Sequence, residues 1–288
     1  MVLKYRVAHI INPFIAPASS DLAYAQPITF ETLRMAKEKA REKMDIELLA
    51  ACYAGDEAMV PAWIKKTTPL TRSVLDQQDF QKKIKLPFIA DILEKAVHES
   101  TADYIIYSNV DIGLYPDFYT RLHTLLEEGY DALIINRKRI EPLYTRVSDL
   151  DKIWQQEGKK HPGFDCFIFH RELLSRMYLE NICIGVPFIE ISFSQNLFHL
   201  AKKFRLIETD NYTFHIGMEI FKKRAPKEYF MYNRKEYQKV IRQLDPVLAS
   251  KNLPYADQWL PVRIIRWGLH PCIPIRLALK LEWRKWFG

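Results

Sequence analysis

Four consecutive residues, Tyr104-Ile105-Ile106-Tyr107, constrain this chain more than any others. All four are apolar, without the alternation of a half-buried strand and without the length of a helix. The pattern is that of a strand covered on both faces. Ser108-Asn109-Val110-Asp111 follows at once. An ionised Asp there must meet water, a partner or a cation, because burying a lone charge is costly. In open α/β sheets, ligands bind outside the carboxyl ends of the strands. The spacing therefore predicts that Asp111 stands where such a fold does chemistry.

The rest of the chain supplies the matching elements. Short apolar runs alternate with helical patterns, which predicts an α/β sheet. Strands are expected at 6–11, 46–53, 131–136, 165–170 and 205–215, besides 104–107. Helices are expected at 28–44, from Leu86-Pro87 to Val97, from Pro116-Asp117 to Leu126, and at 189–203. Phe88, Ile89, Ile92, Leu93, Ala96 and Val97 give the second of these one apolar face. Gly129 is placed to end the third, being free to turn left-handed. Residues 56–85 read as an irregular, basic, ligand-facing region, and Arg137-Lys138-Arg139 as a basic cluster closing a strand. Beyond Gly217 the character changes. Residues 219–245 are charged and helical, 254–274 hold four prolines, too many for one long helix, and 275–287 are helical again.

The 288 residues are 48% hydrophobic and 27% charged, enough to build the core of one large domain, or of one domain plus an appendage. The net charge of +7 suits an acidic ligand, and serves solubility equally well. Cys52, Cys166, Cys183 and Cys272 form no Cys-x-x-Cys pair, which argues against a zinc ribbon or a thioredoxin-type site. Scattered in apolar company, they read as reduced core residues and predict a cytoplasmic location. The N-terminus carries no signal-peptide pattern, and no run of eighteen apolar residues is present.

Four short segments carry chemistry. Asn109-Val110-Asp111 follows a buried strand, where both polar residues also suit a plain turn. His161-Pro162-Gly163-Phe164-Asp165 leads into another strand, and Asp165 serves either as a reactive carboxylate or as a partner for nearby backbone N–H groups. Gly185-Val186-Pro187-Phe188-Ile189-Glu190 sets an acidic residue at a helix start, as a base or as a complement to the macrodipole. Tyr212-Thr213-Phe214-His215 ends on a late histidine, a ligand or a buried imidazole.

Over roughly residues 5–217 the order of elements and these segments resembles the GT-A-fold, family 2-like nucleotide-sugar glycosyltransferases. The resemblance implies an α/β fold with a mixed sheet flanked by helices, spanning 1–218, followed by a helical, basic, aromatic-rich extension over 219–288. It implies transfer of a sugar, as in hexosyltransferases, from a nucleotide-diphosphate donor to a hydroxyl of a carbohydrate or lipid-linked acceptor. Mn²⁺ or Mg²⁺ would be held by Asp111 with His215 and would offset charge on the leaving diphosphate. Asn109 stands where the family has its first Asp and is a weaker, neutral ligand. Glu190 is the first choice for the base and Asp165 the second. Asn12 and Pro13 would wall the donor base, while Arg72 and Lys85 would face its phosphates.

In the extension, Trp259, Trp267, Trp283, Trp286 and Phe287 alternate with Arg263, Arg266, Arg276, Lys280, Arg284 and Lys285. The mixture suits the headgroup region of an anionic bilayer over 259–288, which would make the protein peripheral on the inner membrane face. It also suits aromatics packed on the catalytic domain beneath a solvated cationic face. Nucleic acid is disfavoured as a partner, since no recognised binding module is visible. Two other functions stay open. A nucleotidyltransferase would want a Gly-rich basic loop after the first strand, and Asn12-Pro13-Phe14-Ile15-Ala16-Pro17 offers none. A non-catalytic sugar-nucleotide binder or membrane-docked scaffold would tolerate Asn109.

Overall fold

The computed structural model describes residues 5–161, 163–208, 210–216 and 226–287. In chain order its strands are β1 (Arg6–Ile11), β2 (Asp45–Ala50), β3 (Lys65–Lys66), β4 (Tyr104–Ser108), β5 (Ile112–Leu114), β6 (Ala132–Ile135), β7 (Lys138–Ile140), β8 (Lys159–Lys160), β9 (Cys166–His170), β10 (Phe204–Ile207) and β11 (Thr213–Ile216). Its α-helices are α1 (Leu22–Ala40), α2 (Ile89–Glu99), α3 (Phe118–Glu127), α4 (Leu150–Gln155), α5 (Ile189–Leu200), α6 (Lys227–Leu244), α7 (Leu260–Leu269) and α8 (Ile275–Phe287).

The main sheet runs β10-β6-β9-β4-β1-β2-β3. All of its pairings are parallel except those of β9, which runs against both neighbours. Every residue of β4 and of β6 is buried, as the uninterrupted apolar runs require. Ile105 and Tyr107 point into one core with α2, α5, α6 and the C-terminal helices. Tyr104 and Ile106 point into the other, with α1 and α3. One buried polar device sits inside the second layer: His9 on β1 bonds Tyr119 Oη and Ser108 Oγ, each at 2.8 Å. Burial lowers the His9 pKa to about 3, so the ring is neutral and fully partnered.

A second sheet, β5-β11-β7-β8, covers the carboxyl edge of the first. Its tightest point is Gly113. A Cβ there would lie 2.3 Å from the Phe214 ring on the paired strand, so only glycine lets β5 and β11 approach.

Several boundaries differ from the sequence expectation, each for a tertiary reason. The helix expected at 28–44 starts at Leu22 and carries Pro27 inside it. Gln26 holds that early turn by exchanging two bonds with the Phe14 backbone. The helix expected from Leu86-Pro87 starts at Ile89, because the Leu86 and Pro87 carbonyls accept from Val74 and Ile184 and keep the chain extended. The single strand expected over 205–215 is two, β10 and β11, in different sheets, broken at the turn formers around Asp210 and Asn211. The Arg137-Lys138-Arg139 cluster largely enters β7. Gly129 closes α3 with φ +83°, as expected. All four cysteines are free and buried. Pro162, Gly217 and the 219–225 part of the expected helix lie outside the described residues.

Candidate active site

The register of the main sheet determines what meets at its carboxyl edge. Ser108 on β4 and Ile135 on β6 both pair with Cys166, the first residue of the reversed strand β9. The residues just outside these pairs, Asn109, Asn136-Arg137 and Asp165, therefore converge. Asn12 arrives similarly, two residues past Ile10, whose partner Tyr107 lies two before Asn109. β11 of the second sheet brings His215 onto the same edge opposite Ile112.

Asp111 and His215 face each other directly, Oδ2 to Nε2, at 3.0 Å. Both side chains are buried. Burial opposes ionisation of Asp111, but the His215 hydrogen bond and charge, with Arg137 beyond, outweigh it and hold the carboxyl below its ordinary range. Arg137 Nη1 forms a buried ion pair with Asp165 Oδ1. His161 Nε2 lies 3.5 Å from Arg137 Nη2, and its Nδ1 lies 3.8 Å from Asp165 Oδ2. Burial, then the charges of Arg137 and Arg139, lower the His161 pKa to about 4, so this ring is neutral near pH 7.

Four buried atoms of this cluster have no hydrogen-bond partner among the described residues: Asp111 Oδ1, Asp165 Oδ2, Asn136 Oδ1 and Arg137 Nε. Native interiors leave few such groups unsatisfied, and those that persist ask for a ligand, an ion or water. Among the described residues no group of three or more His, Cys, Asp and Glu side chains is placed to hold a metal ion. Asp111 with His215 supplies two ligands.

Glu190 enters from the first turn of α5. It keeps part of its surface exposed, yet the protein packed around its carboxyl raises its pKa to about 7, with the charge of Asp165 adding to the rise and Arg137 opposing it. The residue before α5, Phe188, adopts φ +90°, a left-handed conformation that costs a bulky residue on the order of 1–3 kcal/mol. It is held by stacking on Tyr237 of α6 and by Asn233, whose side-chain amide donates to the carbonyls of Cys183 and Pro187 at 2.9 and 3.1 Å. Backbone strain next to a carboxyl shifted toward neutrality marks Glu190 as a candidate functional residue.

The other sequence candidates occupy the flank of the edge. Asn12 Nδ2 donates to Ala51 O at 2.6 Å, and Pro13 beside it is buried. Asn109 Oδ1 accepts from Tyr107 Oη at 3.1 Å. Arg72 turns its guanidinium fork onto Asp91, while its carbonyl accepts from Tyr53 Oη at 2.9 Å. Lys85 Nζ lies 3.8 Å above the Tyr53 ring. Arg72, Lys85 and Tyr53 thus form one group in the segments that follow β2. A surface cavity of about 230 Å³ between α2 and residues 174–180 contains none of these residues. Arg137 and His161 join the site in addition to the residues expected from the sequence. The signal available was the basic cluster after a buried strand, but which cation turns inward depends on how the chain passes from β6 in one sheet to β7 in the other.

No family model matches the chain, and no curated protein matches its sequence. Among solved structures it is similar to S. aureus TarS 1–349 in complex with UDP, with a TM-score of 0.49 and 11% identity over 97% of this chain and 87% of that one. The complex of TarS 1–349 with UDP-GlcNAc gives a TM-score of 0.47 and 10% identity over 94% and 82%. Glucosyl-3-phosphoglycerate synthase from Mycobacterium tuberculosis, in complex with Mn²⁺, UDP and phosphoglyceric acid, gives 0.45 and 13% over 84% and 78%. At these identities and scores, a functional reading rests on the chain's own side chains.

Proposed function

We propose that this protein is a glycosyltransferase that moves a sugar from a nucleotide-diphosphate donor to a hydroxyl of a carbohydrate or lipid-linked acceptor. One observation carries the reading. At the carboxyl edge of an α/β sheet, buried acidic and basic groups keep unpaired atoms beside a carboxylate that titrates near neutrality.

Glu190 takes the proton of the acceptor hydroxyl as its oxygen attacks the anomeric carbon. The bond from that carbon to the diphosphate breaks, and the nucleoside diphosphate leaves with the electron pair. A carboxyl with a pKa near 7 is well matched to this work, since it is largely ionised just above neutrality and still basic enough to accept the proton. Asp165 is the weaker candidate, because Arg137 already holds one of its oxygens. Arg137 gives the edge a fixed cation. Asn12 and Pro13 border the donor base, with Asn109 beside them. Arg72 and Lys85 flank this side, where Arg72 reaches a phosphate only by leaving Asp91.

Asp111 and His215 fit a Mn²⁺ or Mg²⁺ ion, because Asp111 Oδ1 is buried and unpartnered and such ions accept one or two protein ligands with diphosphate oxygens completing the shell. The bound ion would offset negative charge on the leaving diphosphate. Residues 1–218 would form the catalytic unit, and 219–288 an extension packed on it.

The test is nucleoside diphosphate release from a panel of sugar nucleotides, with acceptors supplied, with and without Mn²⁺. Release that depends on the cation and falls about 100-fold or more in Asp111→Ala supports transfer. Donor binding without release by the unmodified protein would instead make it a sugar-nucleotide binder.

A further inference from the structure

The α7–α8 hairpin is built inside out. Its inner contact contains a buried ion pair, Arg263 Nη2 to Glu282 Oε1 at 2.6 Å, beside Trp267, Ala278 and Leu281. Its outer surfaces carry apolar faces bordered by cations. On α7, Val262, Ile265 and Leu269 share the face opposite Arg263 and Trp267, and Leu269 is 78% exposed. On α8, Leu279, Trp283, Trp286 and Phe287 share one face, with Trp283 and Phe287 64% and 73% exposed. Trp259 stands 76% exposed at the head of α7. Scattered exposed apolar residues need no explanation, but two aligned faces on adjoining helices do.

The charge around these faces indicates what covers them. Residues 259–287 contain six Arg and Lys and one acidic residue, Glu282, which Arg263 neutralises. Lys280 and Arg284 reach Asp245 at the end of α6, whereas Arg266 and Arg276 are exposed and Lys285 lies over the Trp286 ring. By helical angle, Arg276 and Lys280 adjoin the Trp283 and Phe287 face. Trp at the border of an apolar surface, interleaved with cations, matches the headgroup layer of an anionic bilayer. A second copy of the same face would set cation against cation. Among the described residues no helix is long and apolar enough to cross a membrane, so this hairpin would lie on the surface.

We infer that α7 and α8 dock the protein onto the headgroup layer of an anionic membrane. The inference stands apart from the transfer reaction and is read without it. Full-length protein is floated with phosphatidylcholine vesicles, with and without phosphatidylglycerol, at low and high salt. Recovery with the phosphatidylglycerol vesicles, weakened by salt, is expected. Trp283→Ser with Phe287→Ser, and separately Arg276→Glu, are each expected to lower it about tenfold or more while circular dichroism stays unchanged. Two results overturn the inference. One is equal recovery of parent and both variants, or no recovery of the parent. The other is a concentration-dependent dimer in sedimentation velocity that the Trp variant abolishes, which would assign the face to self-association.

Discussion

In the proposed reaction, Glu190 is the residue that takes the acceptor's proton. Its carboxyl must be ionised to accept a proton, so turnover should rise as pH passes through about 7 and then level off. Glu190→Gln should lower kcat by about 10²–10⁴-fold and remove that rise, measured as a pH–rate profile. The same substitution has a stability signature. The folded pKa lies above the unfolded one, so ionisation costs the fold nothing below about pH 4.5 and its full amount above about pH 7. Glu190→Gln should therefore stabilise the protein by about 1–3 kcal/mol at pH 8 and by little at pH 4, read from urea melts at both. At this scale much was legible. Asp111, Asp165 and Glu190 are visible in the chain because each stands at the border of an apolar element, whereas His215 lies inside β11 and is marked only as a lone histidine in an apolar run. Arg137 and His161 are not visible, since three neighbouring cations differ only in which one the sheet turns inward.

Elements hold these residues by contacts far apart in sequence. Asn233 on α6 fastens the turn before α5, accepting from the Cys183 N–H at 3.1 Å while donating to nearby carbonyls. Asn233→Ala should cost about 2–3 kcal/mol, since it orphans buried backbone groups. It should also speed hydrogen exchange at residues 183–188 and lower kcat more than it raises KM. Gly113→Ala drives a methyl group into the Phe214 ring and must displace β11. It should lower stability by about 1–3 kcal/mol and reduce cation-stimulated release, because His215 moves with its strand. The buried strands and amphipathic α2 could be read directly from periodicity. The second sheet could not, because β5, β7 and β8 are two or three residues long and are defined by pairing, which no local pattern encodes.

Across the whole molecule, the helices after residue 226 do more than extend the sheet. Val240, Leu244, Trp267, Ile273, Ala278 and Leu281 lie in the same core as β1, β4 and α5. Deleting 258–288 should therefore leave an apolar surface open and give protein that aggregates or melts far earlier, measured by light scattering and thermal denaturation. Point substitutions on the outer faces of α7 and α8 avoid this, which is why they suit the vesicle experiment. The tail's composition alone could not separate these roles. Trp267 and Arg263 turned inward, whereas Trp259, Trp283 and Trp286 turned outward, a division that depends on where each helix rests. The reversed strand β9 has a last consequence. Since it begins at the edge where its neighbours finish, the chain leaves that edge after 137 and returns to it through Asp165. β7 lies within that excursion and pairs with the strand that carries His215, so in the proposed reaction a rewritten excursion would shift the cation site as well, and what is selected and what reacts would have to change together.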